Sequence, residues 1–245
     1  MKALIMTIIC FCATETSFGQ LKPVRYSDGD QALAGLVNTD AGEGAPGVLI
    51  LPAWMGIDDE ATQAAVQLSK EGYITFVADI YGEGNKPTTA AEAGQQAGKY
   101  KNDPAAYHRR IRLALEQLVK AGASPRRLAV IGYCFGGTGA LEAARAGMEV
   151  QGVVSIHGNL GKGNRPDGPI KTKILVLHGA ADPHVSPEEI ANFRKEVEHA
   201  GADWQMIYYA AAKHAFTNPA SGDFEPLAAQ RSWKHLLVFL QEILK

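Results

Sequence analysis

Residues 130–138 read VIGYCFGGT. An apolar run that begins at Leu128 meets a glycine, one bulky residue, a cysteine, another bulky residue and two glycines. This is the frame of a strand–nucleophile–helix turn, G-x-S-x-G, with Cys134 in the serine's place. Such a turn pushes its central side chain out above a sheet. It also aims the amides and the positive dipole end of the next helix at that side chain, which favours a thiolate. Gly132 and Gly136 leave room for the backbone to pack closely, and Gly137 continues into the helix. A lone cysteine more often fills space as a small apolar residue. The glycine frame after an apolar strand turns the reading toward a nucleophile.

The surrounding pattern alternates. GVLILP (47–52), YITFVADI (73–80), RLAVIG (127–132), VQGVVSI (150–156), KILVLHG (173–179) and WQMIYYA (204–210) read as strands. Helical spacing covers 58–72, 104–121, 136–147, 187–200 and about 225–244. Strands alternating with helices predict a mostly parallel central sheet with helices on both faces. Segments around Val24–Tyr26 and Ala32–Val37 suggest an antiparallel hairpin at one edge. Residues 82–103 are polar, glycine-rich and weakly patterned, and read as a loop beside the active site.

Composition bounds the function. The chain has 245 residues, 46% of them hydrophobic and 20% charged, with a formal net charge of −2. That suits one large α/β domain, and the dispersed charge argues against a nucleic-acid surface or a polybasic membrane patch. The first residues, MKALIMTIICFCATETSFGQ, differ from the rest. Lys2 precedes an apolar stretch from Ala3 to about Ala13, and Ser17 and Gly19 are small residues just before Gln20. Residues 1–19 therefore read as a secretory signal peptide, residues 20–245 as a single domain, and the location as periplasmic or secreted. Of three cysteines, Cys10 and Cys12 fall in the signal, so the mature chain keeps one thiol and has no partner for an internal disulfide.

A nucleophile needs a base, and the base needs an orienter. In this fold they follow in the order nucleophile, acid, histidine. HGAADPHV supplies Asp182 past one strand, and KHAFTNP supplies His214 past the next. Both sit at carboxyl ends of parallel strands, on the rim of Cys134. Among the other histidines, His178 reads as satisfying local hydrogen bonds. His184 shares the Asp182 loop, and His157, at a strand end, reads as a pocket-lining residue. His108, His199 and His235 fall in helices. The oxyanion hole is expected from the backbone N–H of Phe135 and that of Trp54 in LPAWMGI. No cluster has metal-ligand spacing and no glycine loop cradles phosphate, so no cofactor is expected.

GYCFGG, HGAADPHV and KHAFTNP, with LPAWMGIDDEA early on, resemble the dienelactone hydrolase family of α/β-hydrolases over about residues 21–245, which implies the α/β-hydrolase fold. The resemblance implies a Cys-Asp-His triad at Cys134, Asp182 and His214, and hydrolysis of a small ester or lactone without a cofactor. Three positions depart from the family pattern. Ala53 stands where a family glutamate helps activate the cysteine. Glu83 and Asn218 stand where two arginines hold the substrate carboxylate. These departures favour a neutral substrate, with Glu83 expected to repel an anionic one. Loss of the glutamate also motivates a reading of another class, a catalytically weak or inactive small-ligand-binding member of the same fold. Oligomeric state leaves no mark in the sequence.

Overall fold

A computed structural model describes residues 19–245. The signal-peptide reading concerns residues 1–19 and, apart from Gly19, lies outside the described residues. Eight strands form one sheet among the described residues. They are β1 (Lys22–Asp28), β2 (Gln31–Asn38), β3 (Gly47–Leu51), β4 (Ile74–Val77), β5 (Leu128–Tyr133), β6 (Gly152–Ile156), β7 (Lys173–Gly179) and β8 (Trp204–Tyr209). Their spatial order is β1-β2-β4-β3-β5-β6-β7-β8. The hairpin β1–β2 is antiparallel, β2 meets β4 antiparallel, and all later neighbours run parallel. This is the α/β-hydrolase fold.

Six helices cover the sheet: α1 (Asp59–Lys70), α2 (Ala90–Asn102), α3 (Pro104–Lys120), α4 (Phe135–Arg145), α5 (Pro187–His199) and α6 (Pro226–Leu244). The central strands are apolar on both sides because both sides are buried. Leu49, Phe76 and Val130 pack with Ala97 of α2, Ile111 of α3, Ala140 of α4 and Val197 of α5 on one face. Val48, Ile50 and Ile131 pack with Ala61 and Leu68 of α1 and Leu236 and Leu240 of α6 on the other.

Residues 82–103 depart from the expected loop, because most of them form α2. Its start is specified by a local signal, T-x-x-E. The Thr89 hydroxyl accepts the Glu92 N–H at 3.2 Å, while the Glu92 carboxylate reaches back to the Thr88 N–H at 2.7 Å. Ala93, Ala97 and Tyr100 form its buried stripe, too narrow and too alanine-rich to stand out in sequence. β4 is also shorter than expected. Beyond Val77 the chain leaves the ladder, and the Asp79 carboxylate accepts the N–H groups of Ala34 and Gly82 instead.

Candidate active site

The turn after β5 is built by the absence of side chains. A Cβ on Gly132 would stand 2.0 Å from the Gly136 carbonyl oxygen, and one on Gly136 would stand 2.0 Å from that of Leu51. Helix and sheet thus meet backbone to backbone. Cys134 caps the helix with φ 52° and ψ −113°, and its side chain makes no capping hydrogen bond. A left-handed backbone at a non-glycine residue costs on the order of 1–3 kcal/mol, so the surroundings must hold it. His157 (φ 41°) and Ala215 (φ 53°) share this rare conformation. All three lie at the site.

The structure brings the three expected side chains together. His214 Nε2 lies 3.0 Å from Cys134 Sγ, and His214 Nδ1 lies 2.8 Å from Asp182 Oδ2. Asp182 ends the β7 turn, and its other oxygen accepts the His184 N–H at 2.8 Å. Burial would raise the Asp182 pKa, but hydrogen bonds from His214 and the His184 amide, with the nearby imidazole charge, bring it below the usual carboxylate range. Burial would lower that of His214. Its bonds to Asp182 and Cys134 outweigh this and push it up to about 10. Both contacts favour the protonated imidazole over the neutral ring.

The Phe135 amide opens the first turn of α4, where N–H groups have no intrahelical acceptor. Trp54 sits in a turn closed by the Gly56 N–H on the Ala53 carbonyl at 3.0 Å. That closure leaves the Trp54 N–H unused. The Tyr81 hydroxyl donates to the Trp54 carbonyl at 2.9 Å. Burial first, and the neighbouring Cys134 second, raise the Tyr81 pKa and keep this phenol a donor. Lys86 Nζ donates to the Ile57 carbonyl at 2.6 Å and braces the same loop. The Phe135 ring is clamped between Tyr107, with centroids 4.7 Å apart, and Tyr81 at 5.6 Å.

The remaining residues singled out in the sequence fall as follows. Ala53, the position read as matching a family glutamate, is buried. Glu83 is paired with Arg25 of β1 at 2.8 Å, so the bare repulsive charge expected from sequence is neutralised locally. Asn218 closes its own turn, its Oδ1 accepting the Ala220 N–H. His178 departs from expectation: it is buried, and its Nδ1 has no hydrogen-bond partner. Its ring packs edge-on against Tyr208 instead, and burial lowers its pKa. His184 packs edge-on against His214. His108 reaches Glu142 and His235 reaches the Tyr209 hydroxyl, each at 2.8 Å, while His199 is exposed beside Asp167. His157 is buried behind Cys134. Its partners Thr217 and Glu60 escaped sequence reasoning, because each reads locally as an ordinary loop or helix-start residue.

A cavity of about 950 Å³ lies elsewhere. Tyr100, Glu142, Asn159, Arg165 and Glu189 help line it, and no triad residue does. Its walls are charged groups that pair with one another, such as Arg165 with Glu142 at 2.6 Å. The Cys134, Asp182 and His214 cluster sits instead at the carboxyl ends of β5, β7 and β8.

The model of the dienelactone hydrolase family matches residues 33–244. The chain belongs to the dienelactone hydrolase family. It is 26% identical over 226 residues to a Bradyrhizobium protein named "Probable 2-oxo-3-(5-oxofuran-2-ylidene)propanoate lactonase", covering 88% of this chain and 91% of that one. Among solved structures it resembles a dienelactone hydrolase-like promiscuous phosphotriesterase from metagenomic libraries. The TM-score is 0.87 at 30% identity, over 92% of this chain and 99% of that one. A structure named m3DLH matches with a TM-score of 0.85 at 32% identity, over the same shares of the two chains. This dienelactone hydrolase family member is a hydrolase acting on lactones or esters.

Proposed function

We propose that the enzyme is an exported cysteine hydrolase of small neutral esters or lactones, with Cys134 as nucleophile, His214 as acid and base, and Asp182 as its orienter. The observation that carries this reading is the unbroken chain from Sγ through both ring nitrogens to the Asp182 carboxylate, at 3.0 and 2.8 Å. With the proton on His214, the sulfur is a thiolate. It attacks the carbonyl carbon, and the developing oxyanion is met by the Trp54 and Phe135 amides. His214 gives its Nε2 proton to the leaving alkoxide, and a thioester remains on Cys134. A water then gives a proton to Nε2 as its oxygen attacks the thioester. The tetrahedral intermediate expels the thiolate and releases the acid. Asp182 holds the imidazole with Nδ1–H toward itself throughout.

Neutral substrates are favoured because no arginine stands at the positions of Glu83 and Asn218. Export is supported by the apolar stretch and the Ser17 and Gly19 pair ahead of Gln20. Rapid mixing with p-nitrophenyl acetate tests the mechanism. A burst of p-nitrophenol stoichiometric with enzyme, and an acetyl group on the Cys134 peptide after acid quench, are expected. A burst with the acetyl group on another residue would transfer the role, and no acyl-enzyme at all would favour a binding protein. Intact mass of protein recovered from an exporting host tests the leader: the mature chain begins at Gln20, and a mass retaining residues 1–19 overturns that reading.

A further inference from the structure

Behind the triad lies a second line of polar groups, and it begins at His157, whose ring packs edge-on against that of His214 with centroids 5.3 Å apart. His157, at the end of β6, is 1% exposed. Its Nδ1 lies 3.1 Å from the Cys134 backbone nitrogen, whose N–H is shared with the Ile156 carbonyl at 3.0 Å. His157 Nε2 lies 2.8 Å from Thr217 Oγ1, which donates to Glu60 Oε1 at 2.6 Å. His157 and Glu60 themselves are 3.9 Å apart, too far for a direct hydrogen bond, so the threonine hydroxyl is the link.

The protons along this line have one consistent arrangement. A backbone N–H can only donate, so His157 Nδ1 must accept and carries no hydrogen. A neutral imidazole then carries its proton on Nε2 and donates it to Thr217. The Thr217 hydroxyl has one hydrogen, and it goes to the Glu60 carboxylate. Reversing any member would set donor against donor or acceptor against acceptor. Glu60 thus sets the Thr217 hydroxyl, Thr217 sets the His157 tautomer, and His157 sets the peptide of Cys134.

We infer that Glu60, Thr217 and His157 are positioning residues that hold the nucleophile backbone in register with the His214 loop, an inference that rests on Cys134 being the nucleophile. Three separate elements meet in this chain: α1, the end of β6 and the loop after β8. Thr217 stands three residues past His214 in that loop. The two ends of the Cys134–His214 contact are therefore tied to each other a second time, through His157. The backbone of Cys134 at φ 52° has no glycine to relax it, and the His157 contact is one of the bonds that holds it. The contact also occupies the Cys134 N–H and leaves the next amide, that of Phe135, to face an oxyanion.

The test compares Thr217→Val, Thr217→Ser and Glu60→Ala in the processed full domain. Turnover of p-nitrophenyl acetate and the pH dependence of Cys134 alkylation by iodoacetamide are both measured. Valine keeps the shape and loses the hydroxyl. A small misplacement of reacting groups costs on the order of a hundredfold, so Thr217→Val is expected to lower kcat at least about tenfold with little change in KM. Its alkylation profile shifts along the pH axis, because the Sγ–His214 geometry is altered. Thr217→Ser restores both readouts, and Glu60→Ala reproduces the valine result. A folded Thr217→Val protein with the wild-type kcat and alkylation profile overturns the inference. So does a loss of activity with an unshifted alkylation profile, since packing alone would do that. If the valine variant does not fold, Glu60→Ala decides by the same two readouts. The two readings fail separately. Wild-type turnover in Cys134→Ala removes the nucleophile itself, whereas an inactive Cys134→Ala beside a fully active Thr217→Val removes only the positioning chain.

Discussion

His214 Nε2 stands 3.0 Å from Cys134 Sγ across 80 residues of sequence. The contact joins a strained turn on a rigid strand to a histidine in a loop. On the proposed mechanism, Cys134→Ala abolishes ester turnover while circular dichroism stays that of the wild type. Cys134→Ser retains little activity, since a serine alkoxide is far harder to form than a thiolate. Removing the imidazole by His214→Ala slows iodoacetamide alkylation at pH 7 by on the order of tenfold, because the thiolate loses its cationic partner. Unchanged turnover in folded Cys134→Ala would make the thiol structural.

The raised pKa of His214 fixes the alkaline side of the pH profile. The leaving alkoxide takes its proton from the imidazolium, so kcat/KM should fall as pH rises through about 10. Stability follows the same group. An unfolded histidine titrates near 6.5, so its native-state stabilisation is fully present below that pH and is lost as pH climbs through about 10. Asp182 works in the opposite sense. Its depressed pKa gives stability that is present above the ordinary aspartate value and lost as pH falls below it. The gap in Tm between wild type and His214→Ala should therefore be wider at pH 7 than at pH 11. A gap that grew with pH would contradict the assigned proton.

Matched esters with and without a free carboxylate test the substrate class. Glu83 is paired with Arg25, Lys86 is engaged on the Ile57 carbonyl, and Lys213 lies 3.5 Å from Asp223. No cation at these positions is left unengaged for a substrate carboxylate, and the Glu83 charge is largely cancelled. A preference of a few-fold for the neutral ester in kcat/KM is expected, shrinking in high salt. A clear preference for the carboxylated partner would show that one of these lysines leaves its partner to bind it.

Two glycine substitutions should act with opposite sign. Gly136→Ala forces a methyl group onto the Leu51 carbonyl and should cost about 3 kcal/mol or more, read by urea unfolding. Gly94 lies in α2, and a Cβ there meets nothing within 4 Å. Gly94→Ala should stabilise by about 0.5–1 kcal/mol, through helix propensity alone. An unaffected Gly136→Ala variant would mean that the close backbone packing under the nucleophile is not required.

The parts of this molecule that were legible in sequence are those written in local pattern. Buried parallel strands leave unbroken apolar runs, and the acid and histidine follow the nucleophile at successive strand ends. Asp182 and His214 could therefore be named from VLHGAAD and KHAFTNP. α2 was hidden because its stripe of two alanines and a tyrosine carries a weak hydrophobic signal, although Thr89 and Glu92 marked its start. Glu60 and Thr217 were hidden for a different reason. Their contact spans 157 residues, and no local pattern records a meeting made only by the folded chain. The lone Nδ1 of His178 was hidden likewise, since burial without a partner is a property of its neighbours.

The backbone-to-backbone packing of Gly132, Gly136 and Leu51 also sets how the molecule moves. With no side chains between strand and helix, the amides of α4 beyond its open first turn can meet solvent only when the helix lifts off the sheet as a unit. Their hydrogen exchange should track global unfolding. On the proposed mechanism the nucleophile is then the fixed point of the site, and adjustment to different substrates is left to the loops around it.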